Sequence, residues 1–140
     1  MACFMTQMEL KLSNSDDYRI AEEWCDRFNE NDEIKVFEPE CDEDTFEISY
    51  DELDIDDDEA RDTFKAFAHH MISEGVSGPV EVHFCIEPDN CGEETHLLFM
   101  LKDGKATEQY AYADLSEMDE DELDDWRFDP KYESPCSFVL

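Results

Sequence analysis

The sequence predicts an α+β fold, an antiparallel sheet of about five or six strands with two main helices on one face. Three observations predict it. Apolar residues alternate with polar ones in several short segments, the period of half-buried strands. Two longer segments repeat apolar residues every three to four positions, the period of helices packed on one side. Asp103-Gly104 sits between two strand-like runs, the strongest short hairpin signal in the chain.

Met8, Leu10 and Leu12 alternate with Gln7, Glu9 and Lys11 and predict the first strand. Asn14, Ser15 and Asp16 offer caps for a helix whose Ile20, Ala21, Trp24, Cys25 and Phe28 form a stripe. A short strand is predicted over Glu33–Phe37, a loop over Pro39–Asp44, and an alternating strand at Phe46, Ile48 and Tyr50. The acidic run Asp51–Glu59 precedes a second helix carrying Ala60, Phe64, Phe67 and Met71, and its negative charge suits the positive end of the helix dipole. Gly75 is the expected C-terminal cap and Gly78-Pro79 a turn. Val80, Val82, Phe84 and Ile86 make the clearest strand, followed by a loop over Pro88–Glu94. His96–Leu101 and Lys105–Ala113 are the arms of the hairpin, and Ser116, with Asp119 three residues on, is expected to cap a short acidic helix through Trp126. The order is compatible with a ferredoxin-like β-α-β-β-α-β arrangement followed by a hairpin and a helix. Residues 1–127 read as a single domain and residues 128–140 as an irregular tail whose Phe138, Val139 and Leu140 dock on the body.

Charge dominates the functional reading. Forty-one Asp and Glu against ten Lys and Arg give a formal charge of −31 over 140 residues. Disorder is the first alternative for so acidic a chain, but 41% apolar residues in periodic patterns argue for a core. No apolar run is long enough to span a bilayer, Met1–Met8 lacks the pattern of a secretory signal, and six irregularly spaced cysteines form no Cys-x-x-Cys pair. A cytoplasmic protein with reduced thiols is expected, bound neither to membrane nor directly to nucleic acid, since phosphate and anionic lipid both repel it.

Chemical motifs are weak. His83, Cys85, Cys91 and His96 have metal-like composition, but the tight knuckles of structural zinc sites are missing. Asp54, Asp56 and Asp58 have the spacing of a calcium loop, yet Glu59 stands where Gly is needed and Lys65 where a closing Glu belongs. His69-His70 reads as a surface or boundary pair on the second helix. Nucleophile elbows, phosphate loops and dinucleotide fingerprints do not occur, and only four glycines are available to build one. The expectation is therefore no enzyme, no cofactor and no dedicated metal.

Duplex DNA carries one charge per about 1.7 Å, so a charge of −31 equals about 50 Å of duplex, more than a compact domain of this length spans. Carboxylates accept bidentate arginine as phosphates do. In size and charge the chain resembles, as a functional class, the folded DNA mimics with which phages and plasmids block restriction enzymes and CRISPR effectors. The resemblance implies an inhibitor, monomer or homodimer, that occupies the basic groove of a nucleic-acid-binding protein. Three acidic blocks are the expected contacts: Glu22, Glu23, Asp26 and Glu30; Asp54, Asp56, Asp57, Asp58 and Glu59; and Asp119, Glu120, Asp121, Glu122, Asp124 and Asp125. Tyr18, Phe37, Tyr112, Trp126, Phe128 and Tyr132 are the aromatic anchors expected beside them. Two other readings compete, an acidic chaperone or regulatory partner of a basic host protein, and a salt-adapted domain of unknown activity.

Overall fold

A computed structural model describes residues 4–30, 39–88 and 92–140. Its elements are β1 (Phe4–Lys11), α1 (Ser15–Asn29), β2 (Glu40–Asp42), β3 (Glu47–Leu53), α2 (Asp57–Ser73), β4 (Val80–Pro88), β5 (Glu93–Lys102), β6 (Lys105–Asp114), a 3-10 turn (Leu115–Glu117), α3 (Glu120–Phe128) and β7 (Cys136–Phe138). The strands form one antiparallel seven-stranded sheet in the order β2-β3-β1-β4-β5-β6-β7. Both main helices lead to a strand two places away: β3 lies between β1 and β2, and β1 lies between β3 and β4.

Strand alternation divides the sheet into two unlike faces. On the first, Leu10 lies opposite Ile48 and Val82, Met8 opposite Tyr50 and Phe84, and Phe99 opposite Val82. These side chains are buried, and α1 and α2 cover them. Phe64 of α2 stacks on Phe99 with ring centroids 4.3 Å apart, and Trp24 of α1 meets Phe67 edge-on at 5.2 Å. The expected stripe of α2 is buried as predicted, joined by Ala68. Residues of opposite parity, among them Glu9, His83, Cys85, Glu94 and His96, project from the second face.

Local chemistry sets the ends. Asn14 caps α1 by accepting from the Asp17 N–H at 2.9 Å. Asp56 and Glu59 form a capping box at the start of α2, the Glu59 N–H donating to Asp56 Oδ1 at 2.8 Å. Capping thus accounts for Asp56 in the calcium-like spacing. Asp103 and Gly104 both take positive φ, as the tight hairpin between β5 and β6 requires. Gly78 is obligatory for a second reason, because a Cβ there would run into the Leu101 carbonyl.

Several sequence expectations differ from the structure, and one falls outside the described residues. The predicted strand Glu33–Phe37 lies outside the described residues, and Glu40–Asp42, read as loop, forms β2. All three of its residues are exposed, so no alternation marks it. The loop expected over Pro88–Glu94 is shorter, because β5 begins at Glu93. α3 is capped by Asp119, not Ser116, whose hydroxyl instead donates to Asp114 Oδ1 at 2.6 Å. Part of the supposed tail pairs with the sheet edge as β7, and Phe138 packs against Phe64 and Phe99 at 5.3 and 5.2 Å. Tyr18, expected at an interface, is 4% exposed and completes the buried stripe with Ala21 and Cys25.

Candidate functional site

The second sheet face holds a connected polar cluster on adjacent strands. Cys85 of β4 and His96 of β5 are directly paired across the sheet, with His83 two residues from one and Glu94 two residues from the other. His83 Nε2 lies 2.9 Å from His96 Nδ1. On the other side of the ring, His96 Nε2 lies 3.1 Å from Glu94 Oε2 and 3.5 Å from Cys85 Sγ. His83 Nδ1 stands 3.8 Å from Glu9 Oε2, extending the row to β1.

α3 closes this cluster from above. The ring of Trp126 meets His96 edge-on with centroids 4.8 Å apart. Arg127 Nε donates to Glu94 Oε1 and Oε2 at 3.1 and 3.2 Å, and its Nη2 donates to Glu87 at 2.9 Å. Glu94 and His96 are consequently buried, and Glu94 is the one buried acid among the described residues. Two consecutive α3 residues, one aromatic and one cationic, thus join the helix to the polar cluster on this sheet face. α3 itself contains no buried residue.

The electrostatics follow from this packing. Burial alone would raise the Glu94 carboxyl, but the hydrogen bond with His96 and the Arg127 guanidinium outweigh it and hold the group below its ordinary value. Burial pushes the Cys85 thiol up to about 12, and the Glu94 charge adds to the rise. His83 draws the Glu9 carboxyl down against its partial burial, and Lys11 acts in the same direction. Cys85, Glu94 and His96 place one metal-ligand atom each within 4.8 Å of one another. Beside them opens a cleft of about 510 Å³, lined also by Gln7, Glu9, Asp51 and Glu87.

Of the suspected metal group, the structure brings together His83, Cys85 and His96, while Cys91 lies outside the described residues. Sequence reasoning missed Glu94. Its signal was the Glu94-x-His96 spacing, which places both residues on one strand face once β5 is extended to Glu93.

The acidic blocks fall on two sides of the molecule. Glu22, Glu23 and Asp26 lie on α1 with Glu30 as its C-cap, and Asp54–Glu59 lead into α2, both in the layer that covers the first sheet face. Asp119–Asp125 lie on α3, against the second face. Most of these acids are exposed, with Glu22 and Asp56 half-buried. The second block is partly occupied by internal bonds: Arg61 reaches Asp57, Asp58 and Glu108 at 3.4, 3.3 and 2.7 Å, and Asp56 and Glu59 serve the capping box. By contrast, among the described residues no Lys or Arg forms an ion pair with Glu120, Asp121, Glu122, Asp124 or Asp125. The single cation of α3, Arg127, bonds to Glu87 and Glu94 of the sheet.

The aromatic anchors divide in the same way. Phe128 is 93% exposed at the end of α3, and Tyr112 is 47% exposed. Trp126 and Tyr132 are half-buried, and Phe37 lies outside the described residues. His69 is exposed and His70 half-buried, the boundary positions expected.

Comparison with protein-family models, with curated proteins and with solved structures yields no match to this chain. No helix among the described residues is long and apolar enough to cross a membrane.

Proposed function

We propose that the protein inhibits or sequesters a basic nucleic-acid-binding protein by presenting carboxylates in place of phosphates, with α3 as the principal contact. The supporting observation is the composition of α3's surface. Glu120, Asp121, Glu122, Asp124 and Asp125 are exposed, and the helix's one cation is bonded to sheet carboxylates. A helix of nine residues is about 14 Å long, so these acids supply one charge per about 3 Å. A single DNA strand carries one per about 3.4 Å. Phe128, exposed beside them, offers the apolar anchor around which such charges steer and orient a partner.

The placement of the blocks refines the mechanism. A flat partner surface meets either the α1 and α2 blocks or the α3 block, and a groove that wraps the domain meets both. The test is displacement of duplex DNA from purified CRISPR effectors and restriction enzymes, with and without charge reversal of α3. Loss of displacement on reversal supports the reading. Equal displacement by the α3-reversed protein removes α3 from the mechanism, and binding that DNA does not compete with favours a chaperone-like partner.

A further inference from the structure

We propose that Cys85 Sγ, Glu94 Oε2 and His96 Nε2 form a site for one zinc-class divalent cation, with the fourth coordination position facing the adjacent cleft. This site is independent of the acidic surface, since its donors are recessed beneath α3.

Convergence is the first argument. His96 Nε2 faces both Glu94 Oε2 at 3.1 Å and Cys85 Sγ at 3.5 Å. One ring proton can satisfy one of these neighbours, whereas a cation between them satisfies all three donors. The spacing is the second argument. With metal bonds of about 2.0 Å to nitrogen and oxygen and about 2.3 Å to sulfur, a tetrahedron has N···O edges of about 3.3 Å and N···S edges of about 3.5 Å. The two edges that meet at His96 Nε2 stand within a few tenths of an ångström of those values, and the third, between Cys85 Sγ and Glu94 Oε2, is within 4.8 Å and closes on binding. A cation needing six or more oxygens, such as magnesium or calcium, finds too few here.

The surrounding residues have the form of a supporting shell. A metal on Nε2 requires the His96 proton on Nδ1, and His83 Nε2 stands 2.9 Å away to accept that bond. His83 then carries its own proton on Nδ1, toward Glu9 Oε2 at 3.8 Å. Arg127 Nε keeps Glu94 Oε1 at 3.1 Å while Oε2 turns to the metal. Trp126 shields the imidazole edge-on. Thiolate and carboxylate together neutralise the cation, so the three ligands and the ion sum to zero where the empty site carries the single negative charge of Glu94.

Protons balance in binding. As neutral rings the two imidazoles keep one proton each, which the bound metal places on Nδ1. The sulfur–hydrogen bond of Cys85 is replaced by a sulfur–metal bond, and about one proton per ion is released to solvent. His83 is a positioning residue in this arrangement, not a ligand.

Cobalt(II) is the probe, added to full-length protein first stripped with a chelator. One equivalent should give the intense visible bands of a tetrahedral ion together with a sulfur-to-cobalt charge-transfer band, and should quench Trp126. Zinc should displace it, and a large excess of magnesium should not. Cys85→Ser should abolish the charge-transfer band and weaken binding at least about tenfold, and His83→Gln should weaken it about tenfold with the sulfur band retained. Neutralising the α3 acids should leave the spectrum unchanged. An octahedral spectrum without a sulfur band in the unaltered protein, or displacement by magnesium, overturns the proposal without reliance on any variant. Equal cobalt affinity in Cys85→Ser does so as well.

Discussion

Replacing Arg127 with methionine removes the cation that holds α3 to the sheet while keeping most of the side chain's apolar length. Arg127 makes two bonds to Glu94 and one to Glu87. The Glu94 side chain is 2% exposed, so its carboxylate loses its principal countercharge where water cannot replace it. Breaking a fully buried pair costs about 3–5 kcal/mol. The Arg127 side chain is 41% exposed, so solvent already screens its end of the bond, and the expected loss is about 2 kcal/mol. For a domain of this size that lowers Tm by about 6–8 °C. Urea denaturation of Arg127→Met, Glu94→Gln and the double variant closes a mutant cycle, with a coupling energy expected at about 1.5–3 kcal/mol. The double variant should be more stable than Arg127→Met, because it no longer contains a buried carboxylate lacking a guanidinium. Hydrogen exchange should show the amides of α3 losing protection first. Coupling below about 0.5 kcal/mol, with α3 protection unchanged, would refute the claim that this ion pair anchors the helix.

Other outcomes follow from the same structure. Phe138→Ala should destabilise the domain by about 1–3 kcal/mol and release β7, because Phe138 contacts both Phe64 and Phe99; calorimetry and hydrogen exchange check this. Alkylation near pH 8 should modify the exposed Cys136 while Cys25 and Cys85, with thiols pushed up to about 12 by burial, react only on unfolding, as peptide mass spectrometry would show. The protein should be folded at low ionic strength and its partner binding should weaken as salt rises; circular dichroism showing an unfolded chain until molar salt is added would instead favour the salt-adapted reading. Phe128→Ala should weaken partner binding by about 1–2 kcal/mol with little change in stability, since the ring is 93% exposed.

Legibility from sequence tracked burial on one face. β1 and β4 were readable because Met8, Leu10, Val82 and Phe84 face the helices while polar residues alternate with them. α2 was readable because its stripe is wholly apolar. Polar residues on those same strands looked like solvent positions, and the pattern contains nothing to show that a later helix returns to cover some of them. Glu94 and His96 are buried by Trp126 and Arg127, about thirty residues downstream, so the cluster is a product of tertiary packing. β2 and β7 are short exposed edge strands whose existence depends on their neighbours' registers. Tyr18 was legible in principle, since it shares the stripe of Ala21 and Cys25, but the acidic residues around it pointed toward an interface. The three acidic blocks were evident as charge, whereas their division between two sides of the sheet came only from the side on which α3 docks.

The proposed function makes α3 a substitute for a phosphate strand. Its most direct test is competition on a purified basic target, with labelled duplex DNA displaced by the unaltered protein and by a variant in which Glu120, Asp121, Glu122, Asp124 and Asp125 are changed to lysine. The unaltered protein should displace DNA at low salt and progressively less as salt rises, and the folded variant should fail to displace it. Displacement by the variant with undiminished affinity and undiminished salt dependence would mean that the α3 carboxylates do not stand in for phosphates.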